Sequence, residues 1–246
     1  MGSKAQRYAG SATVVETRDH GPELCVDMLG EVPPTCRGVP VTNWRWDQAA
    51  GKRSTKGATW GDYRVVGVYD GGGFTLTEQP GPPDPFTFFP DKSVPTPCPP
   101  PRDGWRPLDA ERADEQAMSA AVAAARQAPG FAGLWIGNAG MFDQVLNVAF
   151  TEELDRREAE IRQRWGGGLC VVRHQRTMRE LRNIQGEFSA PAGAPFGLRL
   201  LSVGVDEPAN QVVITAVLVD VGARLAIDAR YAGAVRVVSP LAPVTD

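Results

Sequence analysis

Two stretches of the chain, residues 134–173 and 201–238, carry the same pattern, and an internal repeat restricts the fold before any single residue does. Each reads as strand, strand, helix, strand. The first runs from Leu134-Trp135-Ile136-Gly137 through Asp143–Phe150, a charged helix Glu152–Trp165 and Leu169–Arg173. The second runs from Leu201-Ser202-Val203-Gly204 through Asn210–Val217, a helix from Asp220 to Tyr231 and Ala234–Val238. Trp165 and Tyr231, Gly167 and Gly233, and Val171 and Val237 each stand 66 positions apart, with one residue of slippage between the middle strand and the helix. Leu154, Ile161 and Trp165 share one helical face, as do Ala223, Ile227 and Tyr231. A helix with one apolar face covers one side of a short sheet, which predicts an open α/β sandwich over residues 108–246. Between the copies, Met178, Leu181, Ile184 and Phe188 give a further helix, Gln175–Phe188, its buried stripe.

Ahead of the repeat the periodicity changes. Residues 11–79 hold about five β-branched or alternating runs and no helical pattern. Tyr63–Tyr69 and Phe74–Glu78 flank Asp70-Gly71-Gly72-Gly73, a hairpin signal because the turn needs residues that tolerate positive φ. This part is expected to form a small all-β barrel or sandwich of OB-like form. Residues 1–10 read as a disordered start or cloning remnant. Residues 80–107 are proline-rich and expected to be a stiff linker. A helix follows from Leu108 to Gln127, with Asp109 as its N-cap. The fold class is therefore α+β in two domains.

Composition narrows the function classes. With 246 residues, 42% hydrophobic and 22% charged, the chain is an ordinary globular one, and no apolar run approaches the ~18 residues of a membrane helix. A net charge of −3 argues against nucleic acid as a partner. Cys25, Cys36, Cys98 and Cys170 form an even set without the C-x2-4-C spacing of a zinc site. Two disulfides, Cys25–Cys36 and Cys98–Cys170, are the reading ahead of reduced thiols, and they imply an oxidising compartment. The start Met1-Gly2-Ser3 lacks a signal-peptide pattern and reads as a scar before a mature sequence. The arginine-rich, lysine-poor usage fits an actinobacterium. An extracellular or cell-envelope location follows, as a secreted or lipid-anchored protein.

Sites for chemistry are sparse. His20 and His174 lack a G-x-S-x-G partner, Gly71–Gly73 and Gly166–Gly168 read as turns rather than phosphate cradles, and Glu152, Glu153, Asp155, Glu158 and Glu160 mark a solvated helix face. No catalytic residue, metal or cofactor is expected. Arg156, Arg157, Arg162, Arg164, Arg173, Arg176, Arg179 and Arg182 concentrate positive charge, with Arg173, Arg176, Arg179 and Arg182 as a surface for an anionic partner. Trp44, Trp46, Trp60 and Tyr63 are the residues that would form an aromatic platform for sugar, against the alternative that strands bury them.

Trp135-Ile136, Asp143–Thr151, Val171-Val172-Arg173-His174, Leu181 and Val205-Asp206-Glu207-Pro208-Ala209-Asn210-Gln211-Val212-Val213 make residues 130–240 resemble the pro-region of streptogrisin and α-lytic-type serine proteases. Cys36-Arg37-Gly38, Trp60-Gly61-Asp62-Tyr63 and Arg179–Gln185 make the whole chain resemble exported actinobacterial proteins without an assigned activity. The first resemblance implies a non-enzymatic module that binds another protein through strand edges and through the tail Ser239–Asp246, with Pro240 and Leu241 in an inhibitor-like arm. A carbohydrate- or cell-wall-binding module is the alternative, and an enzyme without a visible site the third.

Overall fold

The computed structural model of the chain describes residues 6–25, 33–34, 38–55, 57–84, 94, 96–138, 144–189, 195–219 and 221–244. It is a mixed α+β structure of several sheets and four α-helices among these residues. No described helix is long and apolar enough to cross a membrane.

The N-terminal sheet is built on two long strands, β1 (Arg7–Glu16) and β5 (Ala58–Tyr69), paired antiparallel along ten residues. The short strands β2 (Glu23–Cys25), β3 (Val39–Pro40) and β4 (Arg53–Thr55) complete the order β3-β2-β1-β5-β4, and β6 (Phe74–Leu76) pairs the far end of β5. The β5–β6 turn follows from its residues. Gly71 has φ +94, and the Asp70 carboxylate accepts from the amides of Gly72 at 2.9 Å and Gly73 at 2.8 Å. The sheet curls, and its ends meet at an isolated bridge, Val41 to Phe74, helped by the Asn43 amide against the backbone of Leu76. It does not close into a barrel. The barrel expectation is corrected for that reason: β3 is too short to carry a ladder across the gap.

The second half contains the two repeated paths. In the first, β7 (Phe131–Asn138), β8 (Gln144–Phe150), α2 (Leu154–Arg162) and β9 (Gly168–Arg173) give the sheet order β7-β8-β9. In the second, β10 (Leu200–Asp206), β11 (Gln211–Ala216), α4 (Val221–Tyr231) and β12 (Val235–Val238) give β10-β11-β12. Each sheet has an antiparallel first pair and a parallel second pair. The parallel registers correspond at 66 residues: Leu146–Leu169 and Val148–Val171 in one, Val212–Val235 and Ile214–Val237 in the other. A β-bulge falls at the same place in both, between Phe131 and Gly133 opposite Phe150, and between Leu200 and Ser202 opposite Ala216.

The repeated unit is larger than the sequence pattern. The helix α1 (Glu115–Gln127) lies with α2 on one face of β7-β8-β9, where Ala121, Ala125, Ile161 and Trp165 cover Leu146, Val148 and Phe150. The helix α3 (Met178–Phe188) lies with α4 on one face of β10-β11-β12, where Leu181, Phe188, Ile227 and Tyr231 cover Val212, Ile214 and Val237. Each unit is therefore helix, strand, strand, helix, strand. The start of α1 also differs from expectation. Asp109 caps a separate 3-10 turn, Ala110–Arg112, and α1 begins after Asp114, whose carboxylate accepts from Ala117 N at 2.7 Å. The two segments meet at Gly166, whose missing Cβ lets the Asp109 carbonyl approach, and the Leu108 amide donates to Gly166 O at 2.7 Å.

The described parts of 80–107 pack on both halves rather than span a gap. Gly81 exchanges two backbone hydrogen bonds with Arg64, each 3.0 Å. Val94 lies on Ala132, Trp135, Ala149 and Val172, the face of the first repeat sheet away from its helices. Thr96 accepts from Asn147 Nδ2, and Cys98 is joined to Cys170 on β9. The Cys25–Cys36 pairing involves Cys36, which lies outside the described residues.

Candidate partner-binding site

Three arginines from two helices line one groove. The helix α1 ends at Ala128-Pro129-Gly130, where Gly130 has φ +74 and turns the chain into β7. Its last turn carries Arg126 on the exposed side, because Ala121 and Ala125 occupy the buried one. The helix α3 opens on a capping box. Glu180 N donates to Thr177 Oγ1, and Glu180 Oε2 accepts from Thr177 N at 2.7 Å. Hydrogen bonds from Thr177, helped by the charges of Arg179 and Arg176, hold the Glu180 carboxyl below the usual carboxylate range, so it stays ionised and committed to the cap. Burial of Met178, Leu181 and Phe188 rotates Arg179 and Arg182 to the solvent face. Arg126, Arg179 and Arg182 then border an open cavity of about 570 Å³ whose apolar wall includes Pro129, Phe131 and Met178. Among the described residues, none of the three makes an ion pair or a side-chain hydrogen bond.

The other expected arginines are used within the fold. Arg173 donates to Thr151 O at 2.6 Å, and Arg176 donates to Ala232 O at 2.8 Å. They hold strand ends in place, whereas Arg179 and Arg182 of the expected four-arginine surface lie at the groove. Arg126 joins them from 53 positions before Arg179, a distance that sequence spacing does not bridge. Arg157 is 4% exposed and held by Glu153 at 2.8 Å and Glu160 at 2.9 Å.

The aromatic platform is corrected. Trp44 and Tyr63 are buried in the N-terminal core, and Trp46 is half-buried edge-on against both, donating to Glu16. Trp60 is buried in a different cluster with Val15, Cys25 and Ala58. Successive strand side chains alternate faces, so Trp60 and Tyr63, an odd number of positions apart on β5, do not share one. The tail is corrected as well. Leu241 is 4% exposed in the N-terminal core, and residues Ala242–Pro243 form a strand, β13, along β1. Pro240 and Leu241 therefore belong to an internal contact and not to a free arm.

His174 sits at the junction of the repeats, stacked on Trp135 with 6.0 Å between ring centroids, its Nε2 buried without a hydrogen-bond partner among the described residues. Burial pushes its imidazole below the ordinary histidine value, against a smaller opposing effect of backbone hydrogen bonds. The folded state then binds fewer protons than the unfolded one, so stability is full above about pH 6.5 and falls as the pH drops below it. The urea midpoint is expected to be lower at pH 5 than at pH 7.5, and His174→Gln should flatten that difference. An unchanged slope in the variant would assign the loss to other groups.

A scan of the chain against protein-family models and a search of the curated proteins both returned no match.

Proposed function

We propose that this is an exported, non-enzymatic protein-binding module, and that an acidic segment of its partner docks in the groove between α1 and α3. The observation that carries this reading is the convergence of Arg126, Arg179 and Arg182 on one open, apolar-floored cavity. The groove lining carries these three arginines and no acidic side chain, Glu180 being turned into the helix cap, and an anionic ligand offsets the repulsion among them. The apolar wall favours a segment that also carries a hydrophobic side chain, since interfaces take their energy from buried anchors rather than rim charge. Export is supported by the Cys98–Cys170 disulfide. The similarity to a protease pro-region is in keeping with a partner-binding role. In this reading residues 11–79 and 108–246 are two units, joined by the contacts of the described parts of 80–107 and by residues 239–244.

The test uses a fluorescein-labelled peptide of alternating glutamate and leucine. Binding read by anisotropy should weaken as salt rises, because the Debye length shrinks from about 10 Å at 0.1 M to about 3 Å at 1 M. Arg126→Glu, Arg179→Glu and Arg182→Glu should each reduce affinity about tenfold, equivalent to roughly 1.4 kcal/mol. Arg224→Glu, on the exposed side of α4, is the control. Equal loss with Arg224→Glu, or no binding by the unaltered protein, would reject the groove.

A further inference from the structure

Residues 239–244 occupy a slot that has the properties of a peptide site. After β12 the tail turns back at Ser239, whose Oγ lies 3.1 Å from Val217 O and 2.8 Å from Leu241 O. The strand β13 then runs antiparallel to β1, with Ala242 opposite Ala9 and Pro243 opposite Tyr8. The Val244 amide donates to Arg7 O at 2.9 Å, and Gln6 Nε2 donates to Val244 O at 3.3 Å. One edge of β1 is thus divided: Thr13–Val15 pair with β2, and Tyr8–Ala9 pair with the tail.

Three features fit the slot to its occupant. Leu241 enters the core beside residues of the N-terminal sheet and Val217 of the second half. A Cβ on Gly10 would lie 1.8 Å from the Pro240 carbonyl oxygen, so only glycine lets the tail approach. Gly10 does not have a positive φ, so the requirement is for room and not for conformation. Donors alternate in direction along an antiparallel strand. Val244 points its N–H at β1, so position 243 faces outward, where proline removes the donor that a further strand would use.

We propose that this slot is a peptide-binding site for an extended segment bearing a leucine between prolines, and that it accepts such a segment from a second polypeptide when its own tail is withdrawn. What holds the tail is backbone pairing, one leucine pocket and one glycine, all of which a separate chain can satisfy; this is strand addition. The tether through Ser239 gives the resident tail an effective concentration on the order of millimolar, so the tail is the competitor that a trans ligand must displace. The site is distinct from the arginine groove, and its failure would leave the groove untouched.

The experiment uses the full chain with a specific protease site placed between Val238 and Ser239 and cut after folding. The probe is a labelled synthetic peptide of residues Ser239–Asp246. The cut protein should bind one peptide saturably, and the uncut protein should exclude it at micromolar concentration. Leu241→Asp in the peptide and Gly10→Val in the protein should each weaken binding at least tenfold, the order expected for losing one buried leucine. If the added site spoils folding, the unaltered chain is used with millimolar peptide, and displacement is read as new protease sensitivity of residues 239–246. Absence of exchange in the protein used, or equal binding with Gly10→Val, overturns the proposal.

Discussion

Replacing Cys98 and Cys170 together by alanine is expected to lower the unfolding free energy by about 4 kcal/mol, the chain-entropy value for a loop of this size. The bridge spans 72 residues, so it restrains a large part of the unfolded chain. It also pins the segment around Val94 and Thr96 over the second face of the first repeat sheet. Without it, Ala149, Trp135 and Asn147 lose their cover. Guanidinium unfolding of the paired variant measures the loss, and the melting temperature should fall by about 10 °C. A change below about 1 kcal/mol would mean that packing alone holds the segment and that the disulfide adds little.

The second large effect is expected at Asn210. The residue is 4% exposed, and its side chain joins the two repeats. Oδ1 accepts from Arg176 N at 2.9 Å, and Nδ2 donates to Arg176 O at 2.8 Å and to Ala132 O at 3.4 Å. Its backbone is left-handed, at φ 54. Asn210→Gly keeps that conformation at no steric cost and removes only the hydrogen bonds, leaving buried partners unpaired. That loss is about 3 kcal/mol. Asn210→Ala adds the left-handed cost of a Cβ, roughly another 1 kcal/mol. Denaturant midpoints of the two variants separate the terms. If glycine is tolerated while alanine is not, the residue serves its turn and not the junction.

The parts of this architecture that were legible in the sequence are those set by near neighbours. Asp70-Gly71-Gly72 specifies a hairpin because its turn chemistry is local. Ile161 and Ile227 mark equivalent buried helix positions because periodicity reports which side of a helix is apolar. Periodicity does not report what covers that side. The pairing of α1 with α3 as equivalent elements was hidden because alanines line one stripe and large residues the other. Nothing around Pro240 in the sequence names a partner on β1, so the local pattern does not place Leu241 in the core. The same limit explains the arginines: Arg173 and Arg176 bind backbone carbonyls far along the chain, whereas Arg126 reaches the groove from another helix. For the tryptophans of the N-terminal sheet the alternation along strands favours burial over a platform, and Trp44 and Trp60 are buried.

The groove is tested most directly by mapping its occupant on the protein itself. In a nuclear magnetic resonance titration of the labelled full chain with the glutamate–leucine peptide, amide shifts should concentrate at residues 126–131 and 177–183, and should vanish when Arg126, Arg179 and Arg182 are all changed to glutamate. Shifts confined to another face, or shifts that persist in the altered protein, would contradict the account.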